Sequence, residues 1–337
     1  MSILVILLIL AVPAAWFLVE RSHRKTQTMA GGLHEDITLP HTAEWELYHN
    51  SFSLCSKKLR VCLAELGLEH TSHPIDLIET GSYENVSRRF LAVNPAGLVP
   101  VLVHRGHPVY ESHDEIVYAA RHAGERGREL LPDEDAAHAL VKHWTDVASV
   151  VGADPTRGTE QRAGNCIPGL TLPIFAAMCQ YIPFTRFVQG LLFHPQKKRP
   201  LILALLKLRG LRGMTKLPPA MEVLERSRRD MGRHLDALGE QLDRGGGPWI
   251  AGEHFTLADV SWVVILDRLI EVDWEEHFWG NGKRPQVAAY WERLQARPSY
   301  DSAILQARCE TLEYGIADVK AAKNADPALR TALEGST

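Results

Sequence analysis

The 337-residue chain has little with which to staple or clamp itself. Its five cysteines, Cys55, Cys62, Cys166, Cys179 and Cys309, include no Cys-x-x-Cys pair, so neither a zinc knuckle nor a dithiol shuttle has the spacing it needs. They read as reduced thiols of a cytosolic compartment. Aromatic residues make up 7% of the chain and few of them interleave its basic stretch, so no nucleic-acid partner is expected. The loop Gly245-Gly246-Gly247 lacks the Lys and the Ser or Thr that a phosphate cradle requires. His70/His73 and His104/His107 fall in a strand and a turn, where three-residue spacing does not converge two ligands, and no metal site is expected. With 45% apolar and 23% charged residues the chain falls outside the fibrous, low-complexity and wholly disordered classes.

Charge is missing in two places. Residues Ile3 to Val19 carry none, and the basic residues Arg21, Arg24 and Lys25 follow that apolar run rather than precede it. This pattern reads as an uncleaved transmembrane anchor over residues 1–20, with the bulk of the chain facing the cytoplasm. From Gln161 to Met221 there is no Asp or Glu, yet Arg162, Arg186, Lys197, Lys198, Arg199, Lys207, Arg209, Arg212 and Lys216 lie inside it. A formal total of −4 therefore hides a strongly basic segment. Two readings of it remain open: an interfacial segment drawn to anionic headgroups, or an insertion packed on its own domain with a solvated basic face.

After a polar linker over 21–43, the spacing predicts strand, helix, strand, helix, strand, strand, helix within 44–126. Leu59, Cys62, Leu63 and Leu66 recur at helical spacing and Gly67 stops that helix. Pro100 stands where a strand donor should be, which places it at an edge, a bulge or a cis bond. Residues 132–315 read as helical, with the basic insertion at 161–217. Within them Thr256-Leu257-Ala258-Asp259 has the spacing of a helix cap that Asp259 supports from the third position. The Ala-rich residues 316–337 read as a weakly ordered tail.

Four separated signatures occur in one order: Ser53-x-Cys55-Ser56 at the first helix, Asn94-Pro95-x-Gly97-x-Val99-Pro100, Glu111-Ser112, and the box from Thr256 to Asp259. Together they resemble the glutathione transferase superfamily over about 44–126 and 220–300. Ser53 to Lys58 looks like the first-helix motif of the glutathione-dependent reductive dehalogenases, in which the matching cysteine is the nucleophile. Phe278 to Pro285 is similar to the ganglioside-induced differentiation-associated proteins, which also carry a long insertion and a membrane anchor. The resemblance implies a thioredoxin-like N-terminal domain, a helical glutathione-transferase C-terminal domain, and glutathione as cosubstrate. Val99 before a cis Pro100 would pair with the cysteinyl part of glutathione, and Glu111 with Ser112 would hold its γ-glutamyl end. It leaves a homodimer open.

Cys55 falls at a helix start, where unpaired N–H groups and the helix dipole favour a thiolate, and Lys57 and Lys58 are expected to act in the same direction. The alternative is a small core residue. As a reactive thiol Cys55 would attack a substrate or form a mixed disulfide with glutathione, with Ser53 or Ser56 hydrogen bonding to glutathione's own thiol. A helix N-terminus at Ser112 would offer N–H donors to a carboxylate, and Glu111 would accept from an ammonium. Two functions follow: a membrane-anchored glutathione-dependent transferase acting on a hydrophobic electrophile, or a membrane-associated binding or membrane-shaping protein that keeps the fold without turnover.

Overall fold

The computed structural model describes residues 3–152 and 154–335, and the side chains of residues 1–10 lie outside that description. The chain opens with helix α1, Ile3–His23. A five-stranded sheet follows, built from β1 Gly32–Leu33, β2 Trp45–His49, β3 Thr71–Pro74, β4 Val101–His104 and β5 His107–Tyr110, in the order β1-β5-β4-β2-β3. Only β2 and β3 run parallel, and they are joined through α2, Leu54–Leu66. Leu47 pairs with Leu102 and Leu102 with Val109, so all three point to one face and enter the main core. Val101, Val103 and Tyr110 point to the other face, under Phe90 of α3, Arg88–Leu91.

The 21–43 stretch is more than a linker. Its Gly32 and Leu33 pair with Tyr110 and Val109 as an added edge strand, and Met29, Ile37 and Leu39 cover the second face of the sheet. The expectation of a plain polar spacer is corrected on this point: its few apolar residues close a sheet face that would otherwise stay wet.

On the first face, α2 and α4, Ser112–His122, pack between the sheet and the helical domain. That domain comprises α5 Gly124–Leu130, α6 Asp135–Val147, α7 Ala163–Leu170, α8 Leu172–Met178, α9 Phe184–Phe193, α10 Lys198–Met214, α11 Pro218–Arg244, α12 Leu257–Glu271, α13 Glu275–Phe278, α14 Pro285–Gln295, α15 Pro298–Tyr300, α16 Glu310–Ala325 and α17 Pro327–Glu334. Helix α12 is buried almost all round, with Trp262 donating from its indole to the Trp144 carbonyl at 3.1 Å. Its start is fixed by Asp259, whose carboxylate accepts from the N–H of Thr256 at 2.8 Å, the N–H of Ile250 at 3.1 Å and the Tyr290 hydroxyl at 2.8 Å. Those donors occupy a wholly buried carboxyl, which is the structural role the capping spacing implies.

Two further expectations change. Residues 316–337 are not a loose tail over their described part. Leu312 and Val319 of α16 and Leu329 and Leu333 of α17 join the core, and Lys323 bridges Asp273 at 3.0 Å and Glu334 at 2.6 Å. The basic segment is not one insertion either. Helices α7 and α8 are core elements, with Cys166, Leu170, Ile174 and Met178 fully buried, whereas α9 and α10 form an outer layer.

Among the described residues no single helix is long and apolar enough to cross a membrane. The expected anchor over 1–20 coincides with α1, and the side chains of its residues up to 10 lie outside that description. The pair Ala163–Tyr181 and Phe184–Phe193, bent by 111°, has the length and composition to do so, but the core position of α7 and α8 accounts for its first arm.

Candidate active site

The turn from β2 into α2 is built by side chains that satisfy backbone donors. Asn50 accepts from the N–H groups of Phe52 at 2.9 Å and Ser53 at 3.0 Å, and donates to the Ile75 carbonyl at 2.9 Å. Ser53 caps α2, its hydroxyl accepting from the Ser56 N–H at 3.3 Å. The Ser56 hydroxyl accepts from the Asn50 N–H at 3.1 Å and the residue is fully buried. Ser56 is therefore removed from the expected catalytic set: its oxygen holds the turn and faces no solvent. Cys55, in the first turn of the helix, stays partly exposed, while Cys62 on the same helix is buried and its thiol is pushed far up by burial.

The two lysines after Ser56 part company. Lys57 is wholly buried, and its ammonium meets Asp267 at 2.6 Å and Glu271 on α12. It belongs to the domain boundary, which corrects the expectation that it assists Cys55. Lys58 turns the other way and lines a pocket of about 150 Å³ with Glu111, Ser112, His113, Asp146 and Arg162. Burial lowers the Lys58 pKa, and the neighbouring Cys55, Glu115 and Glu111 oppose that. Glu115 beneath it accepts from the Leu102 N–H at 3.3 Å, and burial raises its carboxyl well above the usual range.

The Val99-Pro100 peptide bond is cis, which resolves the three placements open for that proline. Pro100 is buried and Val99 half-buried beside β4. Glu111 holds φ 69° and ψ 115° at the start of α4, a backbone region that side chains other than glycine enter at a cost. Its side chain caps nothing and is exposed, so the strained turn presents a carboxyl group beside Ser112, the first residue of α4. Asp146 and Arg162 come from the helical domain, and no spacing within the N-terminal signatures could have pointed to them. A larger cleft of about 580 Å³, lined by Asn50, Ser51, Arg60, His70, Asp76 and Cys309 among others, shares no lining residue with the first. Of the expected residues Glu111 and Ser112 line the smaller pocket, while Cys55, Ser53, Val99 and Pro100 line neither.

Cys55 in the first turn of α2, the cis bond before β4 and Glu111-Ser112 at the start of α4 all lie on one thioredoxin-like domain that packs against an all-helical one. Residues 52–122 match the glutathione S-transferase N-terminal domain, and residues 221–293 the glutathione S-transferase C-terminal domain. The chain thus carries both a glutathione S-transferase N-terminal domain and a glutathione S-transferase C-terminal domain. It is 27% identical over 297 residues to the 2,5-dichlorohydroquinone reductive dechlorinase of Sphingobium indicum, covering 78% of this chain and 82% of that protein. It is 26% identical over 275 residues to ganglioside-induced differentiation-associated protein 1-like 1 of Homo sapiens, covering 74% and 71%. The fold is shared with β-etherase LigF from Sphingobium sp. strain SYK-6, at a TM-score of 0.62 and 22% identity over 78% of this chain and all of that one.

Proposed function

We propose that the chain is a membrane-tethered, glutathione-dependent transferase that uses Cys55 for thiol chemistry on a hydrophobic electrophile. The observation that carries this reading is the convergence of Lys58, Glu111 and Ser112 on one pocket, with Lys58 one helical turn beyond Cys55. That pocket is the size of an amino-acid end group rather than of a whole tripeptide. The γ-glutamyl end of glutathione fits it chemically: its carboxylate meets the α4 N-terminus, Ser112 and Lys58, and its ammonium meets Glu111. Val99 before the cis bond offers backbone to the cysteinyl part, which directs the glutathione sulfur toward the start of α2. Ser53 is the hydroxyl left near that sulfur, since Ser56 is spent on the turn.

The substrate class follows from the reductive dechlorinase likeness. Glutathione thiolate displaces halide from a halogenated hydroquinone, forming a C–S bond while the halide leaves with the electron pair. The Cys55 thiolate then attacks the glutathionyl sulfur. An S–S bond forms, the C–S bond breaks, and the ring carbon takes the pair and a proton. A second glutathione resolves the mixed disulfide and leaves glutathione disulfide, so two glutathiones supply the two electrons.

Helix α1 is the tether in this reading, holding the rest of the chain at the cytoplasmic face where apolar substrates partition. Turnover of chlorinated hydroquinones by the full chain with glutathione tests it. Halide release lost in Cys55→Ala but not in Cys62→Ala is the expected result. Glutathione binding without turnover on any electrophile would replace it with the non-catalytic reading. Carbonate-resistant membrane association, lost on deleting residues 1–20, tests the tether separately.

A further inference from the structure

Helices α9 and α10 each bury one face and leave the other uncovered. On α9 Phe187 and Gly190 are buried, while Phe184, Val188, Leu191 and Leu192 are exposed, a spacing that makes one stripe. On α10 Pro200, Leu203 and Leu206 are buried, while Leu201, Ile202, Leu205 and Leu208 are exposed, the last at 73%. Two adjoining apolar stripes facing water are unusual on a protein surface without an occupant.

The buried faces are held firmly. A Cβ at Gly190 would come within 2.2 Å of the Tyr83 hydroxyl, so the α9 backbone lies directly on the N-terminal domain. The Arg199 guanidinium donates from Nε to the Glu79 carboxylate at 3.2 Å, and Glu79 is buried. The two helices are thus a fixed plate rather than a loose flap.

Charge and position identify the occupant. Arg186, Lys197, Lys198 and Arg209 are exposed on or beside the stripes, Arg212 bridges Asp326 at 3.1 Å, and no carboxylate occurs between Gln161 and Met221. At the C-terminal end of α9, Phe193 receives Trp16 and Phe17 of α1 at centroid distances of 6.0 and 5.5 Å, with the Arg24 guanidinium 4.7 Å above its ring. Helix α1 itself exposes Val12, Trp16 and Val19 at helical spacing. Its apolar side, its interfacial Trp and its trailing cations therefore meet the plate at one edge.

We propose that α9 and α10 form an interfacial plate that seats on an anionic bilayer, burying both apolar stripes at headgroup depth while the flanking cations contact lipid phosphates and carboxylates. The plate grips Glu79 and Tyr83, so docking fixes which edge of the glutathione domain faces lipid. It goes beyond the tether, since a helix anchor alone specifies no lipid charge and no orientation. It is also independent of turnover.

The test uses the full chain in nanodiscs of phosphatidylcholine alone or with phosphatidylserine, read by hydrogen exchange of peptides within residues 184–214. Slower exchange in the anionic discs is expected, reversed by high salt and by Arg186→Glu/Lys198→Glu/Arg209→Glu, with α12 peptides unchanged as the control for folding. Binding to preformed phosphatidylserine vesicles should weaken by at least about fivefold for each cation reversed. Equal exchange of 184–214 in both discs overturns the proposal, as does protection that tracks protein concentration and a doubled mass, which would make the occupant a second copy. A chain that does not stay with the discs refutes the α1 tether alone. In that event pelleting with phosphatidylserine vesicles at low salt still supports the plate, and its absence refutes both.

Discussion

The Lys57 ammonium lies 2.6 Å from the Asp267 carboxylate, across the boundary between the sheet domain and the helical domain, with both side chains fully buried. Glu271, Arg268 and Arg308 complete the network: Arg268 donates to Glu271 at 2.7 Å and Arg308 to Asp267 at 3.1 Å. Arg268 also stacks its guanidinium 3.8 Å over the Phe52 ring, next to the turn that leads to Cys55. The turn that leads to Cys55 is therefore braced by charges from the other domain. Lys57→Met leaves carboxylates short of a buried partner and should cost about 3–5 kcal/mol, read as a shifted midpoint in urea unfolding. A loss below about 1 kcal/mol would show that the remaining arginines neutralise the pair unaided.

Glu111 pays a backbone cost for its place, and two substitutions separate that cost from its use. Glu111→Gly removes the side chain and the strain at φ 69°, so it should weaken glutathione binding by about tenfold or more while leaving stability unchanged or raised by up to about 1 kcal/mol. Glu111→Ala should weaken binding equally without the gain in stability. Unaltered affinity in both would remove Glu111 from the site.

Ser53 and Cys55 divide the start of α2 between folding and chemistry. Ser53→Ala removes the cap at 3.3 Å and should lower stability by about 1 kcal/mol. Cys55→Ala should leave stability nearly unchanged and abolish the mixed disulfide with glutathione, measured by intact mass. A mixed disulfide that persists in Cys55→Ala would move the chemistry elsewhere.

Acid should weaken the fold through two histidines. Burial, then Arg60, lowers His49 to about 3, and burial, then Arg228, lowers His277 to about 4. Unfolded histidine takes a proton near pH 6.5, so below that value the unfolded chain binds protons that the folded chain refuses. Their stabilising contribution is complete above about pH 6.5 and is lost as the pH falls toward 4, each with a slope of up to about 1.4 kcal/mol per pH unit. Glu115, raised by burial, has the opposite sign. The difference between wild type and His49→Gln isolates one histidine: its pH slope between 6.5 and 4 should be near one proton, and a flat difference would contradict the assignment.

Much of this architecture was legible because local chemistry announces it. Gly67 adopts φ 66° at the end of α2, Pro100 lies after a cis bond, and the Thr256 to Asp259 spacing closes the start of α12. Each is a backbone requirement that few residue types meet. What stayed hidden depends on partners distant in sequence. Lys57 and Lys58 are adjacent and both buried, but consecutive helical residues diverge by about 100°, and only the packing of α12 decides which one pairs across the domain boundary. The Ala-rich end looked weak because a few apolar residues suffice once α8 supplies their partners: Gly315 lies close enough that a Cβ would meet Met178 at 2.5 Å. Of the expected site, Ser56 misled because a hydroxyl that braces a turn and one that meets a ligand leave the same letter in the sequence.

The most direct test of the central claim is calorimetric titration of glutathione into the full chain in lipid nanodiscs, beside Glu111→Ala. Saturable one-site binding is expected in the wild type, with affinity lower by about tenfold or more in the variant. No heat of binding at millimolar glutathione, from a chain whose fold is intact by circular dichroism, would contradict it.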